Sequence, residues 1–270
     1  MADKVLARLA VRPGSNFSFT RHKPDETFGW EKEAAKAELI EVLGKIDVLQ
    51  QRLSAEGSRS LLVVLQAIDA AGKDGTIRSV FGPLNASDVR VANFRAPSEN
   101  ELAHDFLWRV HAVVPGDGEI AVWNRSHYED VLIVRVKKLV PEERWRNRFR
   151  HIRDFERMLA DEGTRIVKIN LHISNAEQRT RLQDRIDDPN KRWKFRVGDL
   201  EDRKQWPAFM RAYEAAINET STDLAPWFVV PAERKWVRNL AVARIVHHAL
   251  ADMDPQLPPD VPAMLGVVVE

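Results

Sequence analysis

Short apolar runs alternate along this chain with longer segments in which hydrophobic residues recur every three or four positions. Residues 26–51 space Leu39, Ile40, Leu43, Ile46 and Leu49 along one stripe of a predicted helix. "SLLVVLQAI" (60–68) is a continuous apolar run between polar residues, the pattern of a strand buried on both faces of a parallel sheet. "VRVANF" (89–94), "EIAVW" (119–123), "RIVKINLHI" (165–173) and "WFVVP" (227–231) predict four further strands. Between them, Ser98 and Glu101 stand in capping-box spacing at the head of a helix predicted over 98–111. Residues 141–163 start with Pro, carry acids in the first turn and stop at Gly163, which predicts a helix with matched ends. Its Trp145, Phe149, Ile152 and Leu159 share one face and are assigned to the core, whereas Arg144, Arg146, Arg148 and Arg150 fit either a channel or the surface. A basic helical segment (175–198), a long helix near 201–218 and a closing helix (233–253) complete the pattern.

Strands alternating with helices predict an α/β three-layer sandwich with a mostly parallel five-stranded sheet. Residues 1–25, punctuated by Pro and Gly, read as an N-terminal arm, and the Pro-rich 254–270 as a tail over the surface. The body, 26–253, reads as one domain with a helical lid around 175–205. Trp108, Trp193, Trp206 and Trp227 are read as packing residues.

Composition narrows the function. The chain has no cysteine, which excludes disulfides and thiolate metal sites. No apolar run approaches a membrane span and the N-terminus lacks the apolar core of a secretory signal, so a cytoplasmic protein without a membrane partner is expected. A net charge of +1 conceals a concentration of Lys and Arg in 135–153 and 179–204, the distribution expected of a local polyanion site on a nearly neutral protein.

The candidate chemistry begins in "LLVVLQAIDAAGKDGT" (61–76). A phosphate-binding loop needs inward-pointing backbone N–H groups, a helix N-terminus and a lysine, usually spaced G-x-x-x-x-G-K-[ST]. Here Ala67 replaces the first Gly and Asp74 takes the hydroxyl slot, yet a buried strand, a turn of small residues, Gly72-Lys73 and Gly75-Thr76 remain. The loop alone reads either as a phosphate cradle or as a plain strand-to-helix turn with a solvated lysine. Asp69 favours the cradle, because an acid at the carboxyl end of a buried strand lies where open α/β sheets bind ligands. It would hold Mg²⁺ there, or else cap the loop through backbone N–H groups. A second polar tip follows the third strand: Asn124, Arg125, Ser126, His127, Tyr128, Glu129 and Asp130, with a guanidinium suited to phosphate. His127 is read as a packing residue.

"DAAGKDGT" together with "NRSHYEDVL" closely resembles the paired motifs of the polyphosphate kinase 2 family. Supporting blocks include "HDFLWRVH" (104–111), "LHISNAEQRTRLQDR" (171–185), "DPNKRWKF" (188–195) and "DLEDRKQW" (199–206). The resemblance covers roughly residues 15–252, far more than a lone loop. It implies a P-loop kinase-type fold with a helical lid and Mg²⁺-assisted phosphoryl transfer between inorganic polyphosphate and nucleotides, Mn²⁺ being the alternative ion. The form "NRSHYED", with Asn124 and Glu129, resembles the group that accepts both AMP and ADP, with ADP and ATP as products. The resemblance also implies a homo-oligomer, to which the apolar "AMLGVVVE" end would contribute a subunit contact.

On this reading Lys73 and the backbone of Ala70, Ala71, Gly72, Asp74, Gly75 and Thr76 hold phosphates, Asp69 holds the metal, and Arg125 stabilises charge during transfer. Arg181, Arg185 and Lys194 of the lid would bind polyphosphate. Phe94, Arg95, Asn124 and Glu129 are assigned to the nucleotide, Phe94 as a base-stacking or a core residue. Arg109 would reach a phosphate or brace Asp105 or Glu129. An ATP-dependent kinase of a small acceptor and a non-catalytic polyanion-binding protein are the competing readings. Asp69, Glu129 and Asp130 speak against the latter and against a nucleic-acid partner, since without a metal they would repel a phosphate backbone.

Overall fold

The computed structural model of the chain describes residues 4–262 and Val267. Lys4–Leu9 (α1) and the short strand Ala10–Val11 (β1) precede the long helix Lys32–Glu56 (α2), which stops at Gly57 in the left-handed conformation, φ 59°. Ser60–Gln66 (β2) is buried at every position. Lys73–Thr76 (α3) runs on into a π-type turn over Ile77–Phe81. Val89–Asn93 (β3), the single-turn helices Glu99–Leu102 (α4) and Trp108–His111 (α5), and Ile120–Asn124 (β4) follow. Next come Ile133–Val136 (α6), Glu142–Asp161 (α7) and Thr164–His172 (β5). Asn175–Asp187 (α8), Val197–Lys204 (α9) and Trp206–Thr220 (α10) lead to Trp227–Pro231 (β6) and Lys235–Met253 (α11).

The strands form one sheet in the order β1-β6-β5-β2-β4-β3. All pairs are parallel except β1 with β6. In the helical layers α2 packs on α11 and α10 on α7, and β5 touches both α7 and α11. β2 lies between β4 and β5, with Leu65 opposite Asn124 and Gln66 opposite Asn170, so the loops leaving β2 and β4 emerge side by side.

Four expectations are corrected. The sheet has six strands, because Ala10 and Val11 of the expected arm add an antiparallel edge to β6. The helix over 98–111 is broken in two: the capping box at Ser98 forms, but Asp105 Oδ1 accepts from Leu107 N at 2.9 Å and draws the backbone out of the helical ladder. The basic helix ends at Asp187, since Pro189 forces an extended Asp188 (φ −87°, ψ 110°). The long helix near 201–218 is two helices, with Pro207 in the first turn of the second. Trp227 is buried as expected, whereas Trp193 is 77% exposed. The expected subunit contact in "AMLGVVVE" falls almost entirely outside the described residues.

His172 ends β5 with its ring stacked on Phe19, centroids 4.6 Å apart. Burial, helped by the neighbouring His22, pulls its pKa down to about 4. The unfolded chain, with an ordinary histidine pKa, binds the proton first. Stability from keeping this ring neutral is therefore complete above pH ~6.5 and lost as the pH falls toward ~4. Urea unfolding across that window should show His172→Phe losing less stability than the wild type, by at most about 3 kcal/mol; equal slopes for the two proteins would refute the assignment.

Candidate active site

The loop after β2 is built from small residues because the backbone turns back on itself there. Ala70 has a φ of 68° and Gly72 of 109°, both left-handed. For Ala70 this conformation costs on the order of 1 kcal/mol, a strain typical of ligand-binding turns. Gly72 opens α3, so the first-turn amides have no carbonyl partner within the helix. Thr76 is turned inward, its Oγ1 donating to Gly72 O at 3.2 Å. Lys73 is buried beneath the turn, with Nζ donating to Ala67 O at 2.7 Å. Burial first, and then the charge of Arg125, bring its ammonium down to about 8.

The tip of β4 meets this loop. Arg125 also has a left-handed backbone, φ 63°, fixed by its N–H donating to Leu65 O at 3.0 Å. That conformation sends its guanidinium to Asp69, Nη2 to Oδ1 2.6 Å, with Glu129 Oε1 4.0 Å from Nε. Burial raises the Asp69 carboxyl, but Lys73 and then Arg125 outweigh it and hold the group below its usual range. For Glu129 burial wins over Arg125 and Lys73, and its carboxyl lies above the ordinary value. Asn124 lies alongside, its amide nitrogen donating to Asp74 Oδ1 and Asn93 Oδ1, both at 2.9 Å.

Two nearby residues escaped the sequence reading. In the amide orientation that satisfies its neighbours, the Gln66 nitrogen donates to Glu129 Oε1 at 3.1 Å while its oxygen accepts from Ser126, tying the end of β2 to the turn that carries Glu129. Tyr213 of α10 is buried, and Glu129 and Asp69 help to raise its phenol pKa after burial itself. A polar Gln ending an otherwise apolar strand was the available signal for the first.

The lid residues divide. Arg181 was expected to bind polyphosphate, but its N–H groups are all directed at protein acceptors. Nε donates to Glu177, Nη1 to Ala70 O and Ala71 O, and Nη2 to Ala232 O and Glu233 O, at 2.7–3.2 Å. It is a strut joining α8 to the loop and to the segment after β6. Arg185 lies 3.9 Å from Asp199, and its charge reaches Asp69. Lys194 stands apart, over the ring of Trp193 at 5.1 Å.

On the acceptor side, Phe94 belongs to the core. It is buried edge-on against Trp123, and Arg109 covers it at 5.5 Å. Arg95 is exposed and its carbonyl accepts from Arg109 Nη1 at 2.9 Å. The acids beside Arg109 are Glu101 (3.9 Å) and Asp130 (4.0 Å), in place of the expected Asp105 or Glu129. Arg148 is neither channel nor surface: it is buried and binds Asp130 at 2.8 Å.

Beneath the turn 127–130 lies a buried polar cluster. Lys168 Nζ contacts Glu156 Oε2 (2.6 Å), Tyr128 Oη (3.0 Å) and Thr220 O (2.7 Å). Tyr128 Oη in turn bonds Glu156 Oε1 and Thr220 Oγ1. The lone lysine in "RIVKINLHI" was the legible sign, since a charge inside a buried strand requires a partner.

A parallel sheet whose central strand runs into a small-residue loop, with Gly72-Lys73 opening a helix and an arginine on the neighbouring strand, defines a P-loop kinase-type protein. Within that class the chain belongs to the polyphosphate kinase 2 family, whose model matches residues 29–258. The chain is 54% identical over 267 residues to an AMP/ADP-polyphosphate phosphotransferase of Meiothermus ruber, covering 98% of this chain and 100% of that protein. It is 43% identical to an ADP-polyphosphate phosphotransferase of Rhodopseudomonas palustris, covering 81% and 80% of the two. The crystal structure of polyphosphate kinase 2 from Arthrobacter aurescens superimposes with a TM-score of 0.90 at 41% identity, over 96% of this chain and 93% of that one.

The buried cluster sets the height of the Arg125–Asp130 turn, and its ion pair supplies a stability test. Lys168→Met leaves Glu156 buried without its cation and should cost about 3–5 kcal/mol in chemical denaturation. Lys168→Met with Glu156→Gln should cost clearly less than the single change. A double variant as unstable as the sum of its parts would show that the two charges do not act as a pair.

Proposed function

We propose that this chain transfers phosphoryl groups between inorganic polyphosphate and adenine nucleotides, converting AMP to ADP and ADP to ATP with polyphosphate as donor, reversibly. The observation that carries the reading is the grouping of Lys73, Arg125 and Asp69 around the strained loop at the carboxyl edge of the sheet. The relatives named for AMP and ADP support both acceptors.

A phosphate oxygen of the acceptor attacks the terminal phosphorus of polyphosphate, and the P–O bond to the next phosphate breaks. The shortened chain leaves with that electron pair. The acceptor phosphate is already ionised near neutral pH, so no strong general base is required, and the protein's work is alignment and charge stabilisation. The first-turn amides of α3 and Lys73 hold the donor's terminal phosphates. Arg125 swings from Asp69 onto the transferring group, and Arg185 adds positive field beside it.

The residues fit Mg²⁺, with Mn²⁺ as the alternative. Asp69 Oδ1 is held by Arg125, while Oδ2 meets no hydrogen-bond donor among the described residues. No cluster of three or more potential ligands occurs among those residues, in keeping with an ion held by one carboxylate, water and substrate phosphates. Such an ion supplies neutralisation of phosphate charge. Assembly into a homo-oligomer is part of the proposal, supported by Ile40 (72% exposed) and Val48 on α2, the latter beside an open groove of about 460 Å³. A cytoplasmic setting without nucleic-acid or membrane partners also belongs to it; among the described residues no helix is long and apolar enough to cross a membrane.

Nucleotide separation after incubation with Mg²⁺, long-chain polyphosphate and AMP or ADP should show ADP and ATP formed, and chelation should stop the reaction. Lys73→Met should lower turnover on the order of 10²-fold or more, with a much smaller effect on melting temperature, because Arg125 remains paired with Asp69 in its absence. Activity confined to ATP as donor would overturn the proposal.

A further inference from the structure

The loop is flanked by a second buried cation that the mechanism above does not use. Arg238 lies in the first turn of α11 and is 3% exposed. Its Nε and Nη2 both donate to Asn239 Oδ1, at 3.1 and 2.9 Å. Its Nη1 has no acceptor, and no carboxylate lies within ion-pair distance of the guanidinium, among the described residues. What the group does touch is the loop. A Cβ placed on Gly72 would overlap Nη1, and one on Gly75 would come within 3.2 Å of Nη2. The guanidinium thus lies directly against both glycines, and a side chain at either would displace it; Gly72 is needed for the turn as well, with a φ of 109°.

This placement is costly in the anion-free protein. A charge largely withdrawn from water with a single amide oxygen for a partner is unfavourable, and the neighbouring cation Arg181 makes it worse. Burial, followed by Arg181, brings the Arg238 pKa down to about 10. Arg181 has carbonyl oxygens for its N–H groups. Arg238 has one amide oxygen for a whole guanidinium.

We propose that Arg238 is a second cation of the phosphate loop, a binding residue whose unmatched charge is balanced only when condensed phosphate occupies the turn from Gly72 to Thr76. The inference rests on the polyphosphate reading of the same loop. It separates this arginine from a structural brace by one sign: removing an uncompensated charge relieves the empty protein and weakens the occupied one.

The test uses the full chain and sodium tripolyphosphate without nucleotide, so that no turnover is needed. Calorimetry would give the melting temperature of the anion-free protein and the affinity for tripolyphosphate, for the wild type, Arg238→Met and Arg238→Lys. The expected result for Arg238→Met is an unchanged or raised melting temperature with affinity at least tenfold weaker, and recovery of most of that affinity in Arg238→Lys. A lower anion-free melting temperature for Arg238→Met, or an unchanged affinity, would overturn the inference and leave the polyphosphate reading standing. A wild type that does not bind tripolyphosphate would remove that reading and the inference with it.

Discussion

The parallel pairing of β2 with β4 is the constraint from which the site follows. Leu61 to Leu65 run in register with Ile120 to Asn124, and both strands are deeply buried along this length. Because the strands point the same way, their carboxyl ends finish at the same level, and the chain must leave both in a confined space. Asp69 and Arg125 meet across that gap, 56 positions apart in sequence. A one-residue slip would turn every side chain of β4 to the opposite face and part them. Burial of the strands thus fixes the electrostatics of the loops.

Those electrostatics are arranged against easy neutrality. Lys73, Arg125 and Arg238 surround the loop, while Asp69 and Glu129 answer only the first two. Ala70 and Arg125 hold left-handed backbones that a less constrained chain would abandon. The stability that tolerates this comes from elsewhere, from the apolar sheet and from polar clusters whose charges are matched, such as Lys168 with Glu156. Strain and positive charge thus meet at the carboxyl edge, where an anion enters, while that matched pair lies below it.

Much of this could be read from the chain alone, for identifiable reasons. The apolar runs at 60–68 and 227–231 have no solvent face, so their burial was evident from composition, and Asp69 and Lys73 followed from their position after such a run. What escaped were decisions made by distant partners. Ala10 and Val11 become a strand because the edge of β6 is available, which two residues cannot announce. Arg181 was assigned to polyphosphate from its place in a basic segment; only the fold shows that four carbonyls converge on it. Arg238 sits in a helix rich in apolar residues, 166 positions from the glycine it touches (238 − 72), and no local pattern marks it. Phe94 was open between core and base-stacking because a lone aromatic after a strand fits both; Arg109 and Trp123 decide for the core.

The Arg181 strut has a consequence for how this architecture can change over generations. Its guanidinium grips the carbonyl oxygens of Ala70, Ala71, Ala232 and Glu233, atoms that every amino acid possesses. The carbonyl contacts therefore survive substitution at Ala232 or Glu233, although Ala232 is fully buried and the Glu233 carboxylate accepts from Ser174 N at the head of α8. The arginine itself is irreplaceable, since a lysine cannot span two pairs of oxygens in one plane. The joint concentrates much of its vulnerability to mutation in one codon, with Glu177, Gln178 and Glu233 the side chains that share the remainder.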